Sequence, residues 1–225
     1  MGLNNSNPRC PLCRSRGSFF HKDVRREYFK CNKCSLVFID RDSLPSLEAE
    51  KSQYDLHENN PEDFDYRNFL DRLAKPLLKR LEPNSLGLDF GCGSGPTLSV
   101  MMEEAGHKVS LYDHIYYPEV DLLSKSYDFI TATEVFEHLH QPAKDLKILF
   151  NSLKTGGWIG IMTKRVLNKE AFTKWHYIQD PTHVCFWSKT TFQWLSKQWG
   201  SSVEFLGSDV VLIQKKKVLK AWITK

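Results

Sequence analysis

Four cysteines near the N-terminus have the spacing of a metal site. Cys10 and Cys13 form one C-x2-C pair, and Cys31 and Cys34 form a second pair after a gap of 17 residues. Each pair can place two thiolates on one turn, and two such turns complete a tetrahedral site with four sulfur ligands. The pattern predicts structural zinc. Iron and disulfides are the alternatives, and disulfides are disfavoured because nothing in the sequence indicates an oxidising compartment.

A glycine-rich turn follows the apolar segment 86–90, and an amphipathic run begins after Pro96. This order of strand, turn and helix start brings backbone N–H groups and a helix dipole to the negative end of a ligand. Pro96 replaces the third glycine of the dinucleotide pattern G-x-G-x-x-G, and the Gly-Lys-Ser/Thr ending of a P-loop is absent. The residues of the turn predicted to contact a ligand are Gly91, Cys92, Gly93 and Gly95.

Two acids beside this turn narrow the choice of ligand. Asp89 stands two residues before Gly91, where a carboxylate would repel a pyrophosphate but could accept hydrogen bonds from an ammonium group. Asp113 ends the apolar segment 108–112, where an acid can hold ribose hydroxyls. S-adenosylmethionine is the common cofactor that combines an amino-acid zwitterion with a ribose, so the two acids favour it.

Three motifs, in order along the chain, resemble those of the class I S-adenosylmethionine-dependent methyltransferases. Residues 88–95 resemble the first motif of the family, residues 127–139 the strand-four motif of its quinone-precursor branch, and residues 153–159 the following helix, turn and strand. The resemblance covers roughly residues 50–214. It implies a methyltransferase with S-adenosylmethionine as cofactor and a segment before the first strand that folds over the cofactor. Tyr54 and His57 are the candidates in that segment.

The elements around these motifs predict an α/β fold, namely a Rossmann-like methyltransferase sheet with a small N-terminal zinc ribbon. Segments 18–21, 27–30 and 36–39 are the expected ribbon strands, and so short a ribbon needs a metal to supplement its core. Residues 64–81 form an apolar helical stripe in which Pro76 predicts a kink or two short helices. Segments 202–206 and 209–214 predict a closing hairpin.

The interval 114–126 departs from the family pattern. Its 13 residues are too few for two crossovers and a third strand, because each crossover takes at least about 10–12 residues. We therefore expect strand three to be short or missing. The acid that contacts the adenine ring in the family has no clear counterpart here, and residues 121–123 are its only remnant.

The end of the predicted strand 127–133 should meet the cofactor at the topological switch point. Thr133 and Glu134 are therefore predicted to bind the cofactor. Glu137 and His138 follow them and are candidate catalytic residues. The family resemblance favours a place near the cofactor for His138.

The loop of residues 175–187 is rich in side chains that a plain connector does not need, including two histidines, an acid and several aromatics. We expect it to form the acceptor side of the site. His183 is the predicted general base or substrate-orienting group. A metal site made by His176, Asp180 and His183 is an alternative that the wide spacing supports only weakly.

Charge is unevenly distributed along the chain. The net charge of +4 combines +5 in residues 1–45, −6 in residues 46–214 and +5 in residues 215–225. Basic ends indicate a polyanionic partner or, more simply, solvated flexible ends. The predicted units are a zinc ribbon (1–45), a linker with lid helices (46–84), a methyltransferase domain (85–214) and a basic tail (215–225). The polar N-terminus and the lack of an apolar run near 18 residues predict a cytoplasmic protein.

The predicted acceptor is an oxygen atom of a small molecule. The strand-four end lacks the Asn/Asp-Pro-Pro-aromatic motif of amino-group methylases and has no cysteine for base C5 chemistry. A zinc-ribbon methyltransferase acting on ribosomal or transfer RNA is the first alternative. A catalytically inactive zinc-ribbon binding protein is the second, and Asp89, Asp113 and the glycine turn argue against it.

Overall fold

The computed structural model describes residues 7–56 and 59–216. Its N-terminal part is an antiparallel sheet of β1 (Gly17–Lys22), β2 (Glu27–Cys31) and β3 (Val37–Ile39), which confirms the three expected strands. A fourth strand, β8 (Cys185–Phe186), comes from far along the chain and pairs with β3. Sequence patterns missed β8 because a strand of two residues has no periodicity to detect.

Two helices connect this sheet to the rest of the molecule. They are α1 (Leu47–Tyr54) and α2 (Phe64–Leu78). Pro76 lies inside α2 and does not divide it, so the expectation of two short helices is wrong. Proline at this position removes one hydrogen bond near the helix end. Burial of Leu70, Leu73 and Leu77 holds the helix together across it.

The central sheet has six strands in the order β5-β4-β6-β7-β10-β9. These strands are β4 (Leu86–Phe90), β5 (Lys108–Tyr112), β6 (Tyr127–Thr133), β7 (Leu153–Met162), β9 (Ser202–Leu206) and β10 (Val210–Gln214). The first four in this order are parallel, and β10 is antiparallel to both β7 and β9, which confirms the closing hairpin. In place of strand three, a 3-10 helix (Val120–Ser124) follows β5.

The remaining helices are α3 (Thr97–Glu104), α4 (Pro142–Ser152), α5 (Lys169–Thr173) and α6 (Lys189–Trp199). Pro96 caps α3 and is not its first helical residue. The α/β architecture predicted from the motifs is therefore confirmed. Within the described ranges, no helix combines the length and the apolar character needed to cross a membrane.

The two sheets share one hydrophobic core. Tyr28 and Phe38 of the N-terminal sheet belong to the same buried cluster as Ile130 of β6 and Trp187 after β8. β8 lies in sequence within the predicted methyltransferase domain, whereas in space it belongs to the N-terminal sheet. The residues that follow β6 and the loop that precedes β8 are thus packed against both sheets.

Candidate active site

The four N-terminal cysteines come together at one end of the N-terminal sheet. The Cys10 and Cys34 sulfur atoms are 3.6 Å apart, and those of Cys13 and Cys31 are 3.3 Å apart. These distances exceed the bond of about 2.05 Å in a disulfide and approach the edge of about 3.8 Å that a zinc–sulfur tetrahedron with bonds of about 2.3 Å requires. The backbone N–H groups of Lys33 and Cys34 point to the Cys31 sulfur at 3.4 Å, as suits a thiolate. The four residues therefore fit a closed zinc site.

A cavity of about 740 Å³ opens at the carboxyl ends of β4, β5 and β6. This is the topological switch point at which open α/β sheets bind ligands. It is large enough for a nucleoside cofactor together with part of an acceptor. The residues predicted to bind the cofactor that line it are Tyr54, Gly91, Cys92, Gly93, Asp113, Thr133 and Glu134.

The glycine turn forms one wall of the cavity in a conformation that requires glycine. Gly91 has φ +74° and Gly93 has φ +65°, and a Cβ atom on Gly91 would clash with Val135. The Gly91 N–H donates to the Tyr112 carbonyl at 2.7 Å, which anchors the turn to the end of β5. Gly95 does not line the cavity; it packs directly against the backbone of Asn59, which does.

Asp89 does not line the cavity, contrary to the expectation that it meets an ammonium group. Its side chain is 2 % exposed and lies beneath the glycine turn. Its two carboxylate oxygens accept hydrogen bonds from the Ser99 hydroxyl at 2.8 Å and the Thr131 hydroxyl at 2.7 Å. Burial raises its pKa, an effect that these two bonds oppose. Asp89 thus ties β4 to α3 and β6 and supports the turn from below.

Asp113 does line the cavity, at the end of β5 where a ribose was expected. One of its oxygens accepts from the backbone N–H groups of Ile115 at 2.8 Å and Tyr116 at 3.1 Å, and the other from Gly93 at 3.2 Å. These bonds fix the carboxylate beside the glycine turn. The Tyr116 hydroxyl in turn donates to Asp55 at 2.6 Å, which holds the end of α1 over this side of the cavity.

The segment before β4 covers the cavity through Tyr54. Its ring meets the His138 ring edge to face at 5.2 Å, and burial raises the pKa of its hydroxyl. His57, the other candidate of this segment, lies outside the described residues. Glu134 also lines the cavity, with φ +53°, and burial raises its pKa to about 7.

His183 and His138 both line the cavity, with ring centroids 4.7 Å apart. His183 Nδ1 faces the Tyr177 carbonyl at 2.7 Å, and Nε2 lies 3.6 Å from an Asp180 carboxylate oxygen. Burial lowers the His183 pKa to about 4 even though Asp180 raises it. A neutral imidazole next to a carboxylate can accept a proton from a bound hydroxyl.

Glu137 lies behind this wall of the cavity. It is fully buried, and the Tyr177 hydroxyl donates to one of its oxygens. Burial raises its pKa well above the usual value, and the nearby Glu134 carboxylate adds to the rise. His176 does not line the cavity and pairs with Lys164 at 2.9 Å, so the alternative metal group of His176, Asp180 and His183 is not assembled.

Sequence reasoning missed several polar residues of the cavity wall. The 121–123 remnant does not reach the cavity; instead its rim contains Asp145 of α4, whose pKa burial raises. Glu50 of α1 pairs with His140 at 2.8 Å across the rim. These residues belong to no recognisable motif, and only the fold brings them together.

The N-terminal sheet holds the 175–187 loop in place through two arginines. Arg25 donates to the carbonyls of Gln179 at 2.6 Å and Ile178 at 2.9 Å. Arg26 is 8 % exposed and donates to the carbonyls of Asp180 and Pro181, each at 2.9 Å. The loop that carries His183 is therefore shaped by residues some 150 positions earlier in the chain.

Comparison with known proteins agrees with this geometry. Residues 63–204 match the family described as "Methyltransferase domain". Magnesium protoporphyrin IX methyltransferase from Synechocystis, solved with bound SAH, has a similar fold: the TM-score is 0.53 and the identity 14%, over 77% of this chain and 96% of that one. No curated protein sequence matches the chain.

A second solved structure is the Burkholderia thailandensis 1,6-didemethyltoxoflavin-N1-methyltransferase, with bound 1,6-didemethyltoxoflavin and S-adenosylhomocysteine. Its TM-score is 0.51 and its identity 14%, over 88% of this chain and 98% of that one. At such identities the two structures establish a shared fold.

Proposed function

This chain belongs to the methyltransferase-domain family and is an S-adenosylmethionine-dependent methyltransferase, and we propose that it methylates an oxygen atom of a small molecule. The observation that carries the proposal is the pair His138 and His183, backed by Asp180, in the wall of the same cavity as the glycine turn. We propose that the glycine turn marks the cofactor end of the cavity and that the histidine pair marks the acceptor end, where a hydroxyl must lose a proton.

The cofactor end is proposed to hold S-adenosylmethionine through Asp113, Glu134 and the glycine turn. The Asp113 carboxylate is oriented by three backbone N–H groups and can accept from ribose hydroxyls. Because Asp89 is used internally, the carboxylate that suits the ammonium group is that of Glu134. Thr133 and Tyr54 line the same space.

At the acceptor end, His183 is proposed to take the proton of the acceptor hydroxyl on Nε2. S-adenosylmethionine supplies, when bound, a methyl group that moves from sulfur to the acceptor oxygen while the carbon–sulfur electron pair stays on sulfur. Positioning of the two reactants can contribute up to about 7–11 kcal/mol, and a general base adds roughly 10²–10⁴-fold. Asp180 stabilises the imidazolium that forms.

The N-terminal sheet with its four cysteines is proposed to be a zinc ribbon that serves as a docking module. The sulfur geometry supports one structural zinc ion. The contacts of Arg25 and Arg26 with the loop give the ribbon a direct part in building the acceptor end. Residues 127–139 resemble the strand-four motif of the quinone-precursor branch, and the lack of an Asn/Asp-Pro-Pro-aromatic motif after β6 supports an oxygen acceptor.

An RNA methyltransferase is the second candidate, favoured by the basic charge of residues 1–45. Two of these basic residues instead bind backbone carbonyls of the 175–187 loop. Arg26 is buried, and both Arg25 and Arg26 are bonded to loop carbonyls, so these two cations are not arranged for phosphates.

The test is transfer of a labelled methyl group from S-adenosylmethionine into a cell extract separated into protein, RNA, lipid and small molecules. The proposal predicts label in the small-molecule fraction, in a product that retains the label through mild base, as an ether does. The His183→Ala variant should lose this label. Label in RNA that ribonuclease releases would contradict the proposal and establish the second candidate.

A further inference from the structure

A second cluster of metal-ligating side chains lies at the acceptor end of the cavity. Glu137 and His138 come from the 3-10 helix that follows β6 (Phe136–His138), and His183 comes from the 175–187 loop. One ligand atom from each of the three lies within 4.8 Å of the other two. A modest inward shift of these side chains would close the group around an ion with bonds of about 2.0–2.2 Å.

Both histidines are held in the way that suits a metal ligand. His138 Nδ1 faces the Thr182 carbonyl at 3.2 Å, and His183 Nδ1 faces the Tyr177 carbonyl at 2.7 Å. Because a carbonyl only accepts, Nδ1 carries the proton and Nε2 carries the lone pair. Backbone carbonyls fix the rings of metal-binding histidines in this same manner.

The surroundings of His183 Nε2 favour a cation. The nearest Asp180 oxygen lies 3.6 Å away, which is too long for a hydrogen bond. The other Asp180 oxygen accepts from the Thr182 N–H at 2.8 Å and from its hydroxyl at 2.6 Å, so the carboxylate is fixed in place. A lone pair and a carboxylate oxygen that face each other are stabilised when a positive ion lies between or beside them.

The Glu137 carboxylate supports a bound cation independently of the two histidines. Its side chain is completely buried, and one oxygen accepts from the Tyr177 hydroxyl. The other oxygen, Oε2, has no partner at hydrogen-bond distance among the described residues, although the Thr163 hydroxyl and the Glu137 backbone N–H lie near the carboxylate and lower its pKa. An unsatisfied buried carboxylate oxygen is costly. A bound cation, or a proton shared with the neighbouring Glu134, would satisfy this oxygen.

We propose that Glu137, His138 and His183 bind one divalent transition-metal ion, separate from the four-cysteine site. Two imidazoles and one carboxylate suit Zn²⁺, Mn²⁺, Fe²⁺ or Co²⁺, whereas Mg²⁺ and Ca²⁺ prefer oxygen ligands alone. Three protein ligands leave a coordination position open, as in catalytic sites. Since His138 and His183 line the cavity, that position faces the acceptor.

The consequence for catalysis rests on the proposed function. An ion at this place would lower the pKa of an acceptor hydroxyl that reaches the open position. The hydroxyl proton would then pass to water in the cavity, and His183 would act as a ligand instead of the proton acceptor. The methyl transfer itself is unchanged: the oxygen–carbon bond forms as the carbon–sulfur bond breaks.

The test is a Co²⁺ titration of full-length protein that already carries one zinc ion per chain, followed by optical absorption and by metal content per chain. The proposal predicts one further ion per chain, with the d–d bands of a nitrogen and oxygen site and without a thiolate charge-transfer band. His183→Gln and, separately, His138→Gln should weaken Co²⁺ binding by at least the roughly 10–100-fold that loss of an outer-shell partner costs. Binding of S-adenosylhomocysteine checks that each variant is folded.

His176→Gln is the matched control, because His176 lies in the same loop but pairs with Lys164 outside the cavity. It should bind Co²⁺ as the wild type does. Wild-type protein that takes up no second ion, or a His183→Gln variant that binds it equally well, would overturn the proposal in favour of a proton shared by Glu137 and Glu134. A second ion in protein that methylates no hydroxyl would keep the site and reject the proposed acceptor.

Discussion

The two ends of the cavity differ in how far apart along the chain their residues lie. The proposed cofactor end is built around the glycine turn after β4 and Asp113, which are about 20 residues apart and fixed by bonds to each other. The proposed acceptor end combines the residues after β6, the 175–187 loop and the N-terminal sheet, which lies some 150 residues before the loop. The centre of the proposed cofactor end is therefore locally encoded, whereas the proposed acceptor end depends on long-range packing.

This difference suggests how the two ends respond to change. A local turn whose bonds lie within one strand–turn–helix unit should tolerate damage elsewhere in the fold. A loop held by arginines of a distant sheet should lose its shape when that sheet does. A change confined to one end should therefore leave the other end intact.

The largest effect is expected for His183→Ala. Whether His183 accepts the proton or holds an ion that acidifies the hydroxyl, activation of the acceptor is lost, so turnover should fall by about 10²–10⁴-fold. The affinity for S-adenosylhomocysteine should stay within a factor of a few, because His183 lies at the acceptor end. Labelled methyl transfer and calorimetry measure the two quantities. His176→Ala is the control, and a His183→Ala variant with full turnover would remove His183 from the mechanism.

Asp113→Ala tests the opposite end. It should weaken S-adenosylhomocysteine binding by about 10–150-fold, because hydrogen bonds to a charged group contribute roughly 1.5–3 kcal/mol. Asp121→Ala is the matched control, since residue 121 does not line the cavity. Calorimetry should also show no tight binding of NADH. Unchanged S-adenosylhomocysteine affinity in Asp113→Ala would contradict the assignment of the ribose end.

Arg26→Ala should lower activity toward the acceptor without changing the affinity for the cofactor. The variant loses the bonds to Asp180 and Pro181, while Arg25 and the pairing of β3 with β8 still hold the loop. We expect kcat/KM for the acceptor to fall about tenfold, or ~1.4 kcal/mol, with cofactor affinity unchanged. Arg9→Ala is the control, because the Arg9 side chain is exposed and donates to the nearby Arg14 carbonyl. An equal loss of acceptor kcat/KM and of cofactor affinity would contradict the independence of the two ends.

The smallest effect is expected for RNA. If the N-terminal sheet builds the acceptor end and does not clamp RNA, total RNA should bind weakly at physiological salt. A true RNA clamp would show log K falling with log salt at a slope of about −0.7 per phosphate contact on single strands. A filter-binding salt series measures this. Tight, salt-dependent binding that disappears on deletion of residues 1–45 would contradict the prediction.

The same contrast explains what the sequence could predict. The glycine turn, the strands around it and the paired cysteines are short-range patterns, and the structure places them as expected. Asp89 was misplaced because spacing alone cannot tell whether a side chain faces the cavity or the core; here Ser99 and Thr131 take both of its oxygens. The contacts of Arg26 with the loop join positions that no local pattern connects.

Because a 3-10 helix replaces the third strand, other elements supply part of the cavity rim, and chain length alone could not predict which ones. The short interval 114–126 excluded a full strand, but it could not show which residues line the rim of the cavity in its place. In the structure, α4 brings Asp145 to this rim, and α1 brings Glu50 and Tyr54. These positions follow from how α1 and α4 pack, which depends on contacts across the whole molecule.

Hydrogen exchange of the full-length protein before and after zinc is removed with a chelator tests most directly whether the N-terminal sheet holds the 175–187 loop. We expect much faster exchange in residues 17–39 and 175–187, because the sheet and the loop it holds lose their order together. Exchange in residues 86–97 should not change, and the Kd for S-adenosylhomocysteine should shift by less than about tenfold, ~1.4 kcal/mol. Loss of zinc that leaves the 175–187 loop protected, or that exposes the glycine turn equally, would contradict this expectation.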